Sequence, residues 1–389
     1  MKLRMRIYMF AYRINAFVKL LKYTYGLRQA GVEWHHNITR TLLKYRYTQS
    51  QADPCVFSKW NGKRFIVMSI HVDDFYVIYN DNDFADKLMD RLKREYGVIT
   101  RKADDVISYL GMQVTKDRDG TVTLTQPGYV DSIMKDLGLD ENSPGVDTPY
   151  EVKEYKKTGD DDPVSKHDYL ELLGKINYLA VLTRGDILYA LSRCAQRCSK
   201  PTRGDMNRLK RVCRYVNCTR HVGLIFAKDN KIELRCYVDG SHGCYEDGKG
   251  HFGYCFSLGP DDGCFYARSQ KMKIVTLSSF ETEYVAICEA VTEIVHFRNL
   301  LEDIGFRQED PSIVYEDNQS VIAAISGKMN HQRTKHINIK YQYTREQAKQ
   351  GVITVKYLET ERMTADLLTK ALPKKQHKKL TQKLLNCVM

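Results

Sequence analysis

The sequence lacks the features that define disulfide-rich secreted proteins, zinc fingers and membrane-spanning proteins. Its 11 cysteines include no Cys-x-x-Cys pair, show no regular spacing and have no histidine or cysteine partners at zinc-finger distances. No run of about 18 apolar residues is present, so no membrane span is expected. The basic N-terminal stretch is interrupted by charges and has no small-residue cleavage site, which argues against a signal peptide. This pattern favours reduced thiols in an intracellular protein.

The chain has both length and positive charge. It contains 389 residues, 43% of them hydrophobic, which is enough for about two or three folded domains. Lysine and arginine number 60 against 48 acidic residues, and the formal net charge is +12. This excess favours a polyanionic partner, and nucleic acid more than a membrane surface.

Two adjacent carboxylates interrupt an otherwise apolar, β-prone run at residues 64–80. The pattern predicts two strands that meet at Asp73 and Asp74. Buried carboxylates are costly unless they are paired or bound to a metal. The elements expected next are a helix over about 83–96, a hairpin with its turn at 117–120 and a short helix over 129–137.

The rest of the chain divides by composition into a linker, a helical segment and a mixed domain. Residues 140–166 are rich in Pro, Gly and charge and show little periodicity, which predicts a linker. Residues 167–217 have helical periodicity, and from about 229 onward the order β-β-β-α-β-α-(α)-β-α predicts a mixed α/β domain. The chain is therefore expected to be a multidomain α+β and α/β protein.

Acidic residues of the mixed domain stand where predicted elements begin or end. They are Asp239, Glu283, Asp317 and Asp366. Carboxylates that converge from element ends repel one another unless a divalent cation neutralises them, and such oxygen ligands suit Mg²⁺. Two ions about 3.5–4 Å apart would support phosphodiester hydrolysis. The same positions also suit turn and capping residues, so the pattern alone leaves both interpretations open.

Motifs along the chain follow the order in which they occur in one family. They are TYGLRQAGVEW, QADPCVF, IHVDDFYVI, YLGMQV, LTQPGYV, YLELLGKINYLAVLTRGDILYALS, LKRVCRYVNCTRHVGLIF, YVDGSH, SQKMKIVTLSSFETEY, EDNQSV, RTKHINI and TADLLTKAL. Any one of them alone would be weak. Together they resemble the reverse transcriptase and RNase H end of a copia-type LTR retrotransposon Pol polyprotein, from about residue 19 to about residue 373.

The resemblance implies three folded parts and a tail. Residues 1–139 are expected to form a partial reverse transcriptase fingers and palm, and residues 140–228 a linker with a helical thumb or connection. Residues 229–373 are expected to form an RNase H-like domain with a mixed sheet, and residues 374–389 a basic C-terminal tail.

The resemblance also implies two metal-dependent sites. Asp73 and Asp74 match the hairpin-tip aspartates that help hold two Mg²⁺ ions for nucleotidyl transfer. The four acidic residues of the mixed domain match the RNase H carboxylates, also with two Mg²⁺ ions, and Mn²⁺ is the alternative ion at either site. Glu281 competes with Glu283, but Glu283 is preferred because it lies on the small, apolar side of its helix.

Nucleic-acid contacts are expected from two groups of residues. Gly26 and Gln29 match the family's segment under the nucleotide and template, and His71 matches the position that contacts the primer end. Basic residues on the predicted helix and near the C-terminus are candidates for phosphate contacts: Arg208, Arg211, Arg214, Lys374, Lys375, Lys378 and Lys379. A solvated helix face and a solvated tail remain the alternatives.

The sequence departs from the family pattern at both sites. The family's third polymerase carboxylate has no counterpart, because the 24 residues before Tyr25 contain no Asp or Glu, and we expect the chain alone not to polymerise DNA. In the RNase H part, Asn338 and Gln342 replace the family's usual Asp and His. His336 is interpreted as a packing or substrate-side residue, and Asp366 as the fourth metal ligand.

The implied function is Mg²⁺-dependent hydrolysis of RNA in RNA–DNA hybrids by a retrotransposon-derived fragment. The expected partners are an RNA–DNA hybrid, an RNA template and a DNA primer, with other Pol fragments or a second copy of the chain in addition, and no membrane. The expected location is a cytoplasmic particle or the nucleus. The alternative is a decayed, non-catalytic remnant that at most binds nucleic acid.

Overall fold

The computed structural model describes residues 28–102, 104–140, 142–153, 160–228, 231–327 and 338–389. They form two compact units. The first unit holds the described residues before position 104 together with Asn299–Arg307, and the second unit holds the remainder. The division into palm, connection and RNase H-like parts stays a prediction.

The first unit is a four-stranded antiparallel sheet with two helices on one face. Its elements are α1 (Arg28–Lys44), β1 (Thr48–Gln49), β2 (Val56–Asn61), β3 (Arg64–His71), β4 (Asp74–Tyr79) and α2 (Asn82–Tyr96), with the strands in sequential order. Alternate residues of β3 are buried because successive side chains of a strand point to opposite faces. Ile66 and Met68 thereby pack with Leu88 and Leu92 of α2. The two predicted strands and the predicted helix are confirmed.

The second unit contains a small antiparallel sheet that differs from the predicted hairpin. Its strands, in spatial order, are β5 (Val106–Tyr109), β6 (Met112–Lys116), β7 (Val122–Thr125) and β8 (Leu224–Phe226). The predicted first strand is two strands, because Leu110 and Gly111 have φ of 48° and 72° and form a tight turn between paired Tyr109 and Met112.

The helical segment of the second unit is confirmed. Its helices are α3 (Pro127–Asp136), α4 (Lys166–Leu182), α5 (Leu188–Ala195) and α6 (Arg203–Cys218). Between α4 and α5, Arg184 and Asp186 form a fully buried bidentate ion pair with N–O distances of 2.9 and 2.8 Å, and the Tyr215 hydroxyl donates to the same carboxylate. The Tyr215 hydrogen bond therefore ties α6 to the α4–α5 turn.

The larger sheet of the second unit has five strands in the order β11-β10-β9-β12-β13. The strands are β9 (Arg235–Ser241), β10 (Lys249–Ser257), β11 (Tyr266–Val275), β12 (Ser312–Glu316) and β13 (Ile353–Tyr357), and the helices between them are α7 (Ser279–Asp303), α8 (Gln319–Ile325) and α9 (Asn338–Lys349). β9 pairs antiparallel with β10 and parallel with β12. The C-terminal ends of β9 and β12 therefore open at the same edge of the sheet.

The C-terminal part differs from the expected closing helix and basic tail. Thr364–Leu368 is a 3₁₀ helix, so Asp366 does not lie at the front of the last α-helix as predicted. Residues 374–389 were expected to be a tail, but α10 (Lys374–Leu385) forms there. Leu380 and Leu384, one turn apart, are buried in the core of the second unit, which explains why the segment is helical.

Most of the cysteines lie in the interior, and their reduced state stays a prediction. All 11 lie in the described ranges as free thiols, and seven of them are buried. Among the described residues, no helix combines the length and the apolar character that crossing a membrane requires.

Candidate metal centre

Two aspartates meet where the parallel strands β9 and β12 end. Tyr237 of β9 pairs with Tyr315 of β12, and their rings stack with centroids 4.9 Å apart. Asp239 lies two residues beyond Tyr237 in β9 and therefore on the same face. Asp317 lies two residues beyond Tyr315, directly after the end of β12. Asp239 is buried, and Asp317 Oδ2 accepts a hydrogen bond from Thr360 Oγ1 at 2.8 Å.

Helix α7 carries a third carboxylate to this point. Its first turn lies directly against Gly240, where an added Cβ would be 3.0 Å from the Thr282 carbonyl and 3.1 Å from the Glu283 nitrogen. One carboxylate oxygen from each of Asp239, Glu283 and Asp317 lies within 4.8 Å of the others. Glu281 instead accepts the Leu277 backbone N–H at 2.7 Å near the helix start.

The 3₁₀ helix brings the fourth predicted carboxylate to Asp239 from the other face of β9. Gly253 pairs with Asp239, and an added Cβ there would clash with Leu368. Thr369, the residue after Leu368, donates a hydrogen bond from its Oγ1 to Asp239 Oδ2. Asp366 reaches Asp239 through Lys370, whose Nζ is 2.9 Å from Asp366 Oδ1 and 3.4 Å from Asp239 Oδ1.

A fifth carboxylate, Glu316, directly precedes Asp317, is close enough to interact with Asp317 and Asp239, and was not predicted. It ends β12, is fully buried, and accepts the Asn318 backbone N–H at 2.9 Å through Oε1. Burial raises its pKa well above the ordinary value, and the neighbouring charges of Asp317 and Asp239 add to this effect, although the Asn318 hydrogen bond opposes it.

The other carboxyl groups show the same electrostatic crowding. Burial, followed by the charges of Asp239, Glu316 and Asp317, raises the pKa of Glu283 well above its usual range. Burial and Asp239 raise the pKa of Asp366 to about 7, although Lys370 opposes the shift. The site therefore holds more negative charge than its own cation neutralises.

Two buried carboxylate oxygens have no hydrogen-bond partner within the described ranges. They are Oε2 of Glu283 and Oε2 of Glu316. Leaving a buried acceptor unsatisfied costs about 1–3 kcal/mol, and more for a charged group. A hard divalent cation such as Mg²⁺ or Mn²⁺ prefers all-oxygen ligands and would neutralise this excess charge. The residues present therefore fit such an ion, held by Asp239, Glu283 and Asp317.

The other predicted aspartate pair lies at the exposed tip of the β3–β4 hairpin. His71 pairs with Asp74, so Val72 and Asp73 form the turn. Val72 has φ of 51°, which is unusual for a β-branched residue, and its carbonyl accepts a hydrogen bond from Trp34 Nε1 of α1. In the part of the chain that the structure covers, no third histidine, cysteine or acidic side chain joins the two aspartates in a metal-sized cluster.

The remaining residues of the predicted template and substrate contacts are only partly described. Gln29 and His71 are exposed, at the start of α1 and the end of β3. Gly26 and His336 lie outside the described residues. Asn338 begins α9, where only its backbone is described, and Gln342 is exposed on the same helix.

The arginines predicted to contact phosphate belong to α6 and are engaged with carboxylates. Arg208 pairs with Asp205 at 2.9 Å, and Arg211 pairs with Glu151 at 2.8 Å. Arg214 is half-buried on the same helix. A phosphate would have to compete with these intramolecular pairs for the first two guanidinium groups.

The lysines of α10 are the more accessible cations. Lys374 and Lys375 are exposed in its first turn, and Lys378 and Lys379 are exposed one turn later. Lys374 forms an exposed ion pair with Asp147 at 2.9 Å, a kind of contact that contributes little to stability.

Two residues of the centre, Glu316 and Lys370, have only weak signals in the sequence. Glu316 directly precedes Asp317, and Lys370 follows Asp366 by four residues, the spacing at which opposite charges pair on a helical turn. Neither pattern distinguishes a site residue from an ordinary surface charge. Burial and the approach to Asp239 make the difference.

Comparison with known proteins finds a family model that matches the first part of the chain. Residues 11–152 match the family described as reverse transcriptase (RNA-dependent DNA polymerase).

The chain as a whole is similar to Pol polyproteins of copia-type transposons, which confirms the resemblance predicted from the motifs. It is 29% identical over 377 residues to the Retrovirus-related Pol polyprotein from transposon RE1 of Arabidopsis thaliana, covering 96% of this chain and 25% of the relative. It is 28% identical over 366 residues to the polyprotein from transposon TNT 1-94 of Nicotiana tabacum, covering 92% and 27%. The chain thus spans about a quarter of the length of these relatives.

Solved structures that match parts of the chain include a foamy viral protease-reverse transcriptase in complex with an RNA/DNA hybrid. That likeness has 14% identity and a TM-score of 0.47, and it covers 90% of this chain and 40% of the other. The N-terminal RNase H domain of rv2228c from Mycobacterium tuberculosis, solved as a fusion with maltose binding protein, has 16% identity and a TM-score of 0.29. It covers 39% of this chain and 97% of the other.

The close approach at Gly253 gives a stability prediction. We expect Gly253→Ala to destabilise the second unit by about 1–3 kcal/mol, because the new methyl group would displace the 3₁₀ helix from β10. Urea unfolding would measure the change. Gly174→Ala, at an exposed position of α4 where nothing lies within 4 Å, is the matched control and should stabilise by up to about 1 kcal/mol. Equal effects of the two substitutions would contradict the packing argument.

The buried carboxyl of Glu316 gives a pH prediction for the protein in EDTA. Its folded-state pKa is above the ordinary 4.5, so the unfolded state loses this proton at a lower pH than the folded state does. The contribution of Glu316 to the free energy of unfolding therefore falls as the pH rises above about 4.5. Glu316→Gln removes that loss. We expect the variant to gain stability over wild type as pH rises, by at most about 1.4 kcal/mol per pH unit. A constant difference between pH 4.5 and pH 8, measured by urea unfolding, would refute this.

Proposed function

We propose that this chain is the reverse transcriptase and RNase H portion of a copia-type retrotransposon Pol protein, and that its second unit hydrolyses the RNA strand of RNA–DNA hybrids with a divalent cation. The observation that carries the proposal is the cluster of Asp239, Glu283 and Asp317, whose carboxylate oxygens lie within 4.8 Å of one another. The similarity to Pol polyproteins over 96% of the chain supports it.

Each residue of the cluster has a task in this reaction. When bound, divalent cations activate water and neutralise the charge that develops on the scissile phosphate. Asp239 and Asp317, at the ends of two paired strands, and Glu283, on α7 against Gly240, would hold such an ion on rigid elements. Thr369 orients Asp239 through its hydrogen bond, and burial of Glu283 limits the access of bulk water.

An RNA–DNA hybrid is the substrate that this site is proposed to use. Such a duplex is recognised through backbone phosphates and 2′-hydroxyl groups rather than base sequence. The exposed lysines of α10, which follows the Asp366 segment in the chain, are the proposed phosphate contacts. The net charge of +12 favours this polyanionic partner.

The decisive test is cleavage of a hybrid labelled on its RNA strand by the purified chain with Mg²⁺ or Mn²⁺. We expect cleavage of the RNA strand, and a loss of at least about 100-fold in Asp239→Asn, because one ligand charge is removed from the transition-state electrostatics. Asp73→Asn, in the other unit, is the matched control and should cleave normally. Duplex RNA should remain intact.

A folded wild-type chain that binds the hybrid without cutting it would refute the nuclease. That result would favour the non-catalytic remnant that only binds nucleic acid. Cleavage that Asp239→Asn does not reduce would point to a contaminating nuclease.

The polymerase half gives a separate prediction. Asp73 and Asp74 alone supply two carboxylates, whereas nucleotidyl transfer by two metal ions needs a fuller ligand set. We therefore expect no primer extension by the 389-residue chain on an RNA template. Extension that disappears in Asp74→Asn would prove this expectation wrong.

A further inference from the structure

The side chain of Lys370 lies between two of the four predicted metal ligands. Its Nζ is 2.9 Å from Asp366 Oδ1 and 3.4 Å from Asp239 Oδ1, and both carboxylates are buried. The Lys370 backbone is fixed because its N–H donates to the Asp366 carbonyl at 3.1 Å. The ammonium group therefore bridges a strand carboxylate and a carboxylate of the 3₁₀ helix.

This bridge stands apart from the cluster that fits a metal ion. Within the described ranges, the metal-sized cluster comprises Asp239, Glu283 and Asp317 and leaves Asp366 out. A cation shared by Asp239 and Asp366 would have to lie near the present position of the Lys370 ammonium. Asp239 would thus serve an ion on one side and a lysine on the other.

The charge of Lys370 acts directly on ion binding. Like charges repel at contact distance, and burial of the two carboxylates that the ion would bind reduces screening by water. A second divalent cation beside Asp366 must either displace the ammonium or bind against this repulsion. The Lys370 side chain has room to move out into solvent, because it is already 37% exposed.

We propose that the Lys370 ammonium occupies the position between Asp239 and Asp366 that a second divalent cation would take, so that the chain binds one ion more tightly than a second. This inference rests on the proposed function, since it requires that the carboxylate cluster binds a divalent cation. It assigns Lys370 the role of setting how many ions the resting site holds.

The test is a Mn²⁺ titration of the full chain without nucleic acid, followed by electron paramagnetic resonance of the free ion. We expect one tight site in wild type. Lys370→Met, which removes the charge and keeps the length, should strengthen binding of the second ion at least about tenfold, the effect of one modest charge interaction. Lys370→Arg keeps the charge and should behave as wild type.

A matched control separates a local effect from a change in net charge. Lys231→Met removes the same charge from an exposed position paired with Asp310 and should leave both affinities unchanged. If Lys370→Met does not fold, as judged by circular dichroism, Lys370→Gln tests the same loss of charge with a polar side chain.

The outcomes distinguish this inference from the proposed function. An unchanged second affinity in the folded Lys370 variant, with the first site intact, overturns the inference and leaves the nuclease proposal standing. A wild type with two equally tight ions also overturns it. If Asp239→Asn binds Mn²⁺ as the wild type does, the metal centre itself is overturned, and this inference with it.

Discussion

Repulsion between carboxylates that are held away from water is the constraint on which the centre of the second unit depends. Asp239, Glu283, Glu316 and Asp366 are all at least nine-tenths buried, and Asp317 lies beside them. Such a group of charges is unstable unless protons, a lysine or a metal ion balance it. The raised pKa of Glu283, the ammonium of Lys370 and the fit for a divalent cation are three responses to this one problem.

The surrounding fold keeps the carboxylates together in spite of that repulsion. The sheet is covered closely on both faces, by α7 at Gly240 of β9 and by the 3₁₀ helix at Gly253 of the paired strand β10. An added Cβ would be tightly packed at Gly240 and would clash at Gly253. Parallel pairing of β9 with β12 fixes the relative positions of the two strand-end aspartates. The site is therefore built on regular elements whose hydrogen bonds resist the separation of the charges, which is what a preorganised centre requires.

Much of this centre could be predicted from the sequence, because its carboxylates lie at ends of strongly patterned elements. Asp239 follows an apolar strand, and Asp317 precedes a clear capping residue, Asn318, which does cap α8. Glu316 could not be predicted, since its burial depends on which face of β12 is covered. Lys370 could not be predicted either, because its partner Asp239 is 131 residues away in the chain. The three-residue strand β8 could not be predicted because it pairs with β7, which is distant in the sequence. The turn between β5 and β6 could not be predicted because it depends on positive φ angles at Leu110 and Gly111.

The free thiols provide natural probes of local unfolding around the carboxylate cluster. Cys218 is exposed, whereas Cys236, Cys255 and Cys288 are buried in the sheet and helix that frame the carboxylates. Alkylating reagents modify a thiol only when it becomes accessible and ionised, and burial raises the pKa of all three buried groups. The rate of alkylation at each of these three positions would therefore measure how often the surrounding structure opens locally, and no probe has to be introduced.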